Sequence, residues 1–341
     1  MKLGVNIAPH GAPAVALAAE RLGYDVAFVP EGYRTDAISV LGTLAGRTER
    51  IGLATGVLQI PARSAVMTAM TAATLETLAP GRVRLGLGVS NAQISEGWHG
   101  VRFDRPLRRA REYVEILRLA LDDKPVRYRG ELTELPLPGA RAEPFHQFGA
   151  PLGAAIPIYL AAIGPRSLEL AGEVADGWFG VFCSPGRIAE ALPHLRLGRD
   201  KAGLRHKGFE VIPSVPVVVG RSPEEAAGAV RPYIARFVSL GPKEHSFYHA
   251  LMTTMGYPDE ADEVHDRYGS GDHAGAAAAV PFGFVDATAL LGPLERIAEK
   301  MAAYAEAGVT TLALSPFART TEEQQSILRA AAEALDRAGL A

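Results

Sequence analysis

The strongest chemical signal in the sequence is the turn Ala162-Ile163-Gly164, which follows a short apolar run and precedes Pro165, Arg166 and Ser167. Proline suits the first position of a helix. Free backbone N–H groups at a helix N-terminus attract phosphate, and Arg166 or Ser167 could add a donor. The segment therefore predicts a phosphate-binding turn. The alternative is an ordinary strand-to-helix turn with good capping.

Two other apolar runs end in groups that could take part in chemistry. Glu31 and Tyr33 follow the second run, where a carboxylate could act as a general acid or base. Glu31 could equally cap a loop or pair with an arginine. Thr55-Gly56-Val57 ends the third run, where glycine would let bare backbone approach a flat ring or form a plain bulge.

The fourth run ends in Gly86-x-Gly88-x-x-Asn91, which resembles a dinucleotide-binding fingerprint only weakly. The third glycine is missing, no helix is predicted to begin at once, and the motif lies in the fourth unit rather than the first. We reject a Rossmann fold and keep Ser90 and Asn91 as predicted polar donors.

Several further groups of residues receive plainer interpretations. His245 and His249 are four residues apart, but no carboxylate or third ligand accompanies them, so no metal site is predicted. The acidic run 259–263 is predicted to be a solvated turn. A basic cluster is predicted to be mainly a solvated face, with some members able to meet an anionic ligand tail; it comprises Arg105, Arg108, Arg109 and Arg111.

No activated nucleophile is evident. The sequence has one cysteine, Cys183, with no assignable partner, and neither a GxSxG motif nor a Walker loop. Turn glycines and a phosphate-binding turn without a nucleophile favour a protein that leaves the reaction to a bound cofactor.

Eight short apolar runs, alternating with segments of helical period, must position these groups. They cover residues 2–8, 25–30, 50–57, 82–89, 156–161, 176–182, 210–219 and 310–315. This alternation predicts a parallel sheet, and eight βα units match an α/β (β/α)8 TIM barrel, in which chemistry belongs at the C-terminal strand ends. We predict one domain, 1–341, with a helical insertion after strand 7 at about 223–280.

Composition narrows the classes of function. A hydrophobic content of 48% and a charged content of 21% are those of a globular protein with a large core. The net charge is −3 and no basic patch is evident, so nucleic-acid binding is not predicted. Prolines and glycines interrupt the longest uncharged stretch, 144–165, so no membrane span is predicted, and we expect a cytoplasmic location.

Four longer stretches resemble the luciferase-like family of flavin and deazaflavin oxidoreductases: FVPEGYRTDA, GRVRLGLGVSNAQISEGWHGVRFDRPLRRAREYVEILR, IPIYLAAIGPRSLELAGEVADGWFG and AGVTTLALSP. The chain is most similar to the branch that uses coenzyme F420 and includes methylenetetrahydromethanopterin reductase.

The resemblance implies a (β/α)8 barrel with a deazaflavin ring at its C-terminal mouth. The ring would lie against a third-strand bulge with a non-proline cis peptide, here Gly56–Val57, and the cofactor phosphate would lie at residues 162–164. The predicted cofactor-binding residues are Thr55, Gly56, Val57, Ser90, Asn91, Ala162, Ile163, Gly164, Pro165, Arg166 and Phe182.

Glu31 matches the family's acidic position after strand two, but the histidine that often follows is replaced by Gly32. The proton donor is therefore left open among Glu31, His99 and Tyr33. No lysine pair suited to a sugar phosphate can be assigned.

The family implies F420-dependent hydride transfer between C5 of the deazaflavin and a small organic substrate. The alternatives are an FMN-dependent two-component monooxygenase and a non-catalytic flavin-binding protein. A homodimer formed through helices beside the first four strands is also expected.

Overall fold

The computed structural model describes residues 1–32, 35–122, 124–146 and 155–340. Its strands are β1 (Lys2–Asn6), β2 (Val26–Val29), β3 (Gly52–Thr55), β4 (Leu58–Gln59), β5 (Val83–Gly88), β6 (Tyr128–Arg129), β7 (Glu134–Leu135), β8 (Ile158–Ala161), β9 (Gly177–Val181), β10 (Glu210–Val219), β11 (Leu290–Gly292) and β12 (Thr311–Pro316).

Eight of these strands form a closed parallel barrel in the order β1-β2-β3-β5-β8-β9-β10-β12, and β12 pairs again with β1. Seven of the eight lie within a predicted apolar run and β12 extends one residue beyond its run, so the (β/α)8 barrel is confirmed. The strands are apolar because both of their faces are covered, one by the barrel interior and one by helices. The short strands β6 and β7 pair antiparallel as a separate hairpin.

The α-helices are α1 (Ala12–Arg21), α2 (Ala37–Ala45), α3 (Ala65–Leu78), α4 (Ala92–Gly97), α5 (Pro106–Leu121), α6 (Pro165–Val174), α7 (Pro185–Lys201), α8 (Pro223–Val238), α9 (Phe247–Thr254), α10 (Pro258–Gly269), α11 (His273–Ala279), α12 (Phe282–Thr288), α13 (Leu294–Glu306) and α14 (Thr321–Arg337). Sequence signals set their boundaries. The Asp36 carboxylate, for example, accepts hydrogen bonds from the N–H groups of Ile38 and Ser39 and begins α2.

Large side chains fill the barrel beneath its mouth. Phe28 of β2 and Phe179 of β9 lie with their ring centroids 5.4 Å apart, and Tyr159 and Ile212 complete the same cluster. The barrel is therefore a packed core rather than a pore.

Two local predictions were wrong. Helix α4 begins directly after β5, because Asn91 accepts a hydrogen bond from the N–H of Ile94 and caps it. The acidic run 259–263 lies in α10 rather than in a turn, because Pro258 suits the first helical position and carboxylates stabilise a helix N-terminus. Closure of the barrel still excludes a Rossmann fold.

The insertion after β10 contains α8 to α12 and runs to Thr288, eight residues beyond the predicted end at about 280. It reaches the loop that follows β5, on another side of the barrel. Phe247 of α9 lies 6.3 Å from Phe103, centroid to centroid, and a Cβ on Gly241 would lie 3.4 Å from Cβ of Gln93. The insertion thus arches over the C-terminal ends of the strands.

Within the described residues, no helix combines the length and the apolar character that crossing a membrane requires.

Candidate active site

The mouth contains a backbone bulge at the end of β3, where the Gly56–Val57 peptide bond is cis, as the resemblance predicted. The Gly56 N–H donates to the carbonyl oxygen of Val29 at 2.8 Å. A Cβ on Gly56 would lie 3.0 Å from Cβ of Phe28, so the bulge rests directly on the packed interior. Both Gly56 and Val57 are partly exposed at the mouth.

The two glycines of β5 support this bulge and do not form a phosphate loop. A Cβ on Gly86 would overlap the Thr55 carbonyl oxygen, and one on Gly88 would lie 2.8 Å from Cγ2 of Val57. The buried Thr55 hydroxyl donates to the carbonyl oxygen of Gly86 and accepts from its N–H, both at 2.8 Å. Thr55, a predicted cofactor contact, therefore directs its hydroxyl toward β5.

Glu31 forms an ion pair that sequence reasoning did not assign. Its Oε2 lies 2.6 Å from Nη2 of Arg63, and its Oε1 accepts the N–H of Gln59 at 3.2 Å. Only 7% of the Glu31 side chain is exposed. The Ser90 hydroxyl donates to Oε1 of Gln59 at 3.1 Å. The ends of β2, β4 and β5 are thereby linked by one polar network; the sequence signal was the polar QIPAR segment after the bulge.

The three candidate proton donors differ in their surroundings. Both oxygens of Glu31 already accept hydrogen bonds, so this carboxylate is held as an acceptor. Nε2 of His99 is buried and has no hydrogen-bond partner among the described residues, so it remains available to a ligand. Tyr33 lies outside the described residues.

Arg63 also influences a second carboxylate. Burial raises the pKa of Asp36, but hydrogen bonds from Ser39 and Ile38 and the charge of Arg63 outweigh it, so the net pKa lies below its ordinary value.

The predicted phosphate turn opens α6, with Gly164 as N-cap and Pro165 at the first position. The Ser167 hydroxyl accepts the N–H groups of Ile163 and Gly164 at 3.2 and 3.1 Å. A Cβ on Gly164 would have no neighbour within 4 Å, so the turn presents bare backbone to open space.

The groups around this turn differ in whether they could bind a phosphate. The carbonyl oxygen of Ala162 accepts a hydrogen bond from Nε1 of Trp178 at 2.9 Å, so it anchors that side chain. Arg166 is exposed. Nη2 of Arg187, in the first turn of α7, lies 3.5 Å from the carbonyl oxygen of Ile163 and adds a cation that sequence reasoning missed. The repeated pattern of Pro and Arg after strands five and six could have revealed it.

Asn91 and Phe182 also have structural partners. The Asn91 side-chain oxygen caps α4. Phe182 follows β9 and is buried among rings of the insertion, with its centroid 5.6 Å from Tyr233 and 5.5 Å from Tyr248. We call the set Phe182, Tyr233, Phe237, Tyr248 and Phe317 the aromatic wall. Its members other than Phe182 are half-buried.

A polar cluster on neighbouring strands was not predicted from the sequence. Nδ2 of Asn6 (β1) lies 3.0 Å from Oγ of Ser214 (β10) and 2.9 Å from Oγ of Ser315 (β12). These residues share the inward face with the interior residues Ile212 and Ala313. Polar residues inside otherwise apolar strands were the available signal.

The histidines of the insertion and the basic cluster, both singled out in the sequence, include members that contact carboxylates. Nε2 of His249 lies 2.8 Å from Asp262, and the described residues contain no group of three or more potential metal ligands. The basic cluster forms ion pairs, including Arg108 with Glu131 at 2.6 Å and Arg109 with Asp104 at 2.9 Å.

Comparisons with known proteins agree with this geometry. The family model described as luciferase-like monooxygenase matches residues 2–311, so the chain belongs to this family. The chain is 34% identical to a Mycobacterium tuberculosis protein named "Putative coenzyme F420-dependent oxidoreductase", with 92% of this chain and 95% of that protein covered. It is 28% identical to 5,10-methylenetetrahydromethanopterin reductase of Archaeoglobus fulgidus, with 91% and 92% covered.

The fold is similar to that of the coenzyme F420-dependent tetrahydromethanopterin reductase of Methanopyrus kandleri. The TM-score is 0.81 at 21% identity, with 97% of each chain covered.

Proposed function

We propose that the protein is an F420-dependent oxidoreductase that moves a hydride between C5 of the deazaflavin and a small organic substrate. The observation that carries the proposal is the placement of a bare backbone bulge at Gly56–Val57 and a bare backbone turn at Gly164 on one side of the mouth. The names of the two relatives above support the choice of cofactor.

The residues on this side of the mouth fit a flat ring with a phosphate-bearing tail. Inward positions of β3, β5 and β8 are small: Gly56, Gly88 and Ala161. They leave room for a ring beside Val57. The N–H groups of Arg166 and Ser167 in the first turn of α6, with the side chains of Arg166 and Arg187, would hold the phosphate.

The bound cofactor would supply the hydride chemistry, and the protein would orient and shield it. The bulge would support the ring, and the ion pair of Glu31 with Arg63 would hold the strand ends together. The arching insertion would exclude water. We prefer His99, whose Nε2 has no partner among the described residues, as the group that handles the proton, because both oxygens of Glu31 already accept hydrogen bonds.

Fluorescence titration with F420 and with FMN tests the cofactor assignment. The wild type should bind F420, and Gly164→Ala should weaken that binding about three- to tenfold by placing a methyl group in the open space beside the N-terminus of α6. The backbone of Gly164, with φ −90°, accepts alanine without strain. Gly228→Ala is the matched control, since Gly228 is an exposed helical glycine whose Cβ would also meet nothing within 4 Å.

The same titration separates the alternatives. Tight FMN binding without F420 binding would support a two-component monooxygenase instead. F420 binding without turnover on a broad panel of enones, imines and alcohols would favour a non-catalytic flavin-binding protein.

We also propose that the protein is a homodimer. Helix α3 packs beside the third strand and exposes Met67, Met70 and Leu78, each about half exposed. Thr71 and Thr74 on the same face bond their hydroxyls to carbonyl oxygens four residues earlier, which leaves their methyl groups outward. Such an apolar stripe suits burial against a second copy.

A further inference from the structure

We propose that the half of the mouth opposite the bulge binds an uncharged carbonyl compound, with its oxygen at the hydroxyls of Ser214 and Ser315 and its apolar body against the aromatic wall. This inference rests on the proposed function and specifies the class of its substrate. In the reduction direction, the carbonyl carbon accepts a hydride from reduced F420 and the C=O π pair moves to the oxygen. The oxygen takes one proton from solvent to give the alcohol, and oxidation of F420 releases one proton.

Barrel order places the two halves across from each other. The bulge ends β3, and β10 is four strands away around a ring of eight, with β5, β8 and β9 between them. A ring lying on the bulge would therefore turn its other face toward β10, β12 and the insertion that follows β10.

The directions of the hydrogen bonds make the two serines donors. The amide nitrogen of Asn6 can only donate, and its three acceptors are Oγ of Ser315 at 2.9 Å, Oγ of Ser214 at 3.0 Å and, farther away, the carbonyl oxygen of Ala313 at 3.3 Å. We assign its two hydrogens to the two nearer acceptors, the serine hydroxyls. Neither hydroxyl donates to any group among the described residues. Each proton is consequently free for an acceptor entering the mouth, and two donors held by one amide suit a single carbonyl oxygen that gains negative charge during reduction.

The aromatic wall adjoins these donors. Ser214 is in register with Val181, which packs against both the interior cluster and the cluster of the insertion. Val57 of the bulge packs against the same interior cluster. Phe317 lies two residues after Ser315, and its ring centroid is 5.2 Å from that of Tyr233.

An uncharged substrate is favoured because two cations of the insertion are held by its own carboxylates. Its one lysine, Lys243, has Nζ 3.1 Å from both Asp262 and Asp266. Arg267 is held by Glu263 and Asp272 at 2.8 and 3.1 Å. No member of the aromatic wall or of the serine pair carries a charge.

The test measures binding to protein loaded with oxidised F420, so that no turnover occurs, by calorimetry and quenching of F420 fluorescence. The probes are acetophenone, ethylbenzene, which lacks the oxygen, and 4-acetylbenzoate, which adds a carboxylate. Ser214→Ala and Ser315→Ala should each weaken acetophenone binding about three- to tenfold and leave ethylbenzene binding unchanged. Ser326→Ala, on the exposed face of α14, is the matched control.

Two further variants sharpen the result. Asn6→Asp keeps both hydroxyls and the size of the side chain, but a carboxylate would accept their protons, so acetophenone binding should fall as in the serine variants. Phe317→Ala should weaken acetophenone and ethylbenzene alike, by about tenfold.

Four results would overturn the inference. If the serine variants weaken F420 and spare acetophenone, the hydroxyls hold a carbonyl of the ring. If the serine variants change the binding of neither F420 nor acetophenone, the two hydroxyls bind neither ligand. If 4-acetylbenzoate binds more tightly than acetophenone and Arg231→Gln removes this gain, the substrate is charged and Arg231 binds it. Nε of Arg231 is buried and has no partner among the described residues. Failure of the wild type to bind F420 would remove the proposed function itself, and this inference with it.

Discussion

Replacing Gly86 by alanine is expected to displace the bulge on which the proposed cofactor ring lies. The added methyl would overlap the Thr55 carbonyl oxygen and lie 3.0 Å from Cγ1 of Val57. Because the first of these atoms is backbone, no side-chain rotation can relieve the contact. The substitution must also strain the two 2.8 Å hydrogen bonds that the Thr55 hydroxyl makes with Gly86.

The magnitude follows from these contacts. Overpacking a closed core costs about 1–3 kcal/mol, and each lost hydrogen bond about 0.5–1.5 kcal/mol. Gly86→Ala should therefore lower the free energy of unfolding by about 2–6 kcal/mol. At about 1.4 °C per kcal/mol for a chain of 341 residues, the melting temperature should fall by about 3–8 °C.

Two matched variants define the expected order of the losses in stability. The added Cβ of Gly88→Ala would be too close only to Cγ2 of Val57, at 2.8 Å, and a side chain can rotate, so its cost should be about 1 kcal/mol. Gly164→Ala should leave stability unchanged and weaken only F420 binding.

The assays are thermal unfolding by circular dichroism and fluorescence titration with F420 well below the melting temperature. Gly86→Ala should lower both stability and F420 affinity. If Gly86→Ala melts and binds F420 as the wild type does, or if Gly88→Ala is the more damaging change, the assigned role of the β5 glycines is wrong.

Three further predictions concern other parts of the molecule. Glu31→Gln should lower the free energy of unfolding by about 1–3 kcal/mol in urea titrations, because it leaves Arg63 without its carboxylate; wild-type stability would contradict this. Asp286 binds Arg296 at 2.8 Å and Lys300 at 3.0 Å. Burial raises the pKa of Asp286, but these hydrogen bonds outweigh it and the net pKa lies below 3.8. The stabilisation is thus present above about pH 4 and lost as pH falls through the lowered pKa. Asp286→Asn should cost about 1–2 kcal/mol at pH 7, with a gap that narrows below pH 4 and does not widen there. Met70→Glu should convert the proposed dimer into monomer in analytical ultracentrifugation, and an unchanged dimer would exclude α3 from the interface.

The pair of Asp286 and Lys300 is not symmetric. Burial lowers the pKa of Lys300 even though Asp286 raises it, so the net pKa falls. The contact with Asp286 therefore offsets only part of the cost of burying the ammonium, and Arg296 and Lys300 together lower the pKa of Asp286.

The sequence determined the elements whose cause is local. Apolar runs of strand length, helical periods and turn glycines placed all eight barrel strands and the turn at Gly164. The resemblance to the family placed the cis bond at Gly56–Val57. Helix α4 was missed, since a six-residue helix depends on one cap rather than on a periodic pattern.

Tertiary structure decided which distant side chains meet at the mouth. The pair of Glu31 and Arg63 joins different βα units, and the contacts of Asn6 with Ser214 and Ser315 join residues more than 200 positions apart. It also directed the Thr55 hydroxyl toward β5 and gave the β5 glycines their role beneath the bulge. Local periodicity carries no information about such contacts, because they exist only after the barrel closes and brings its first and last strands side by side.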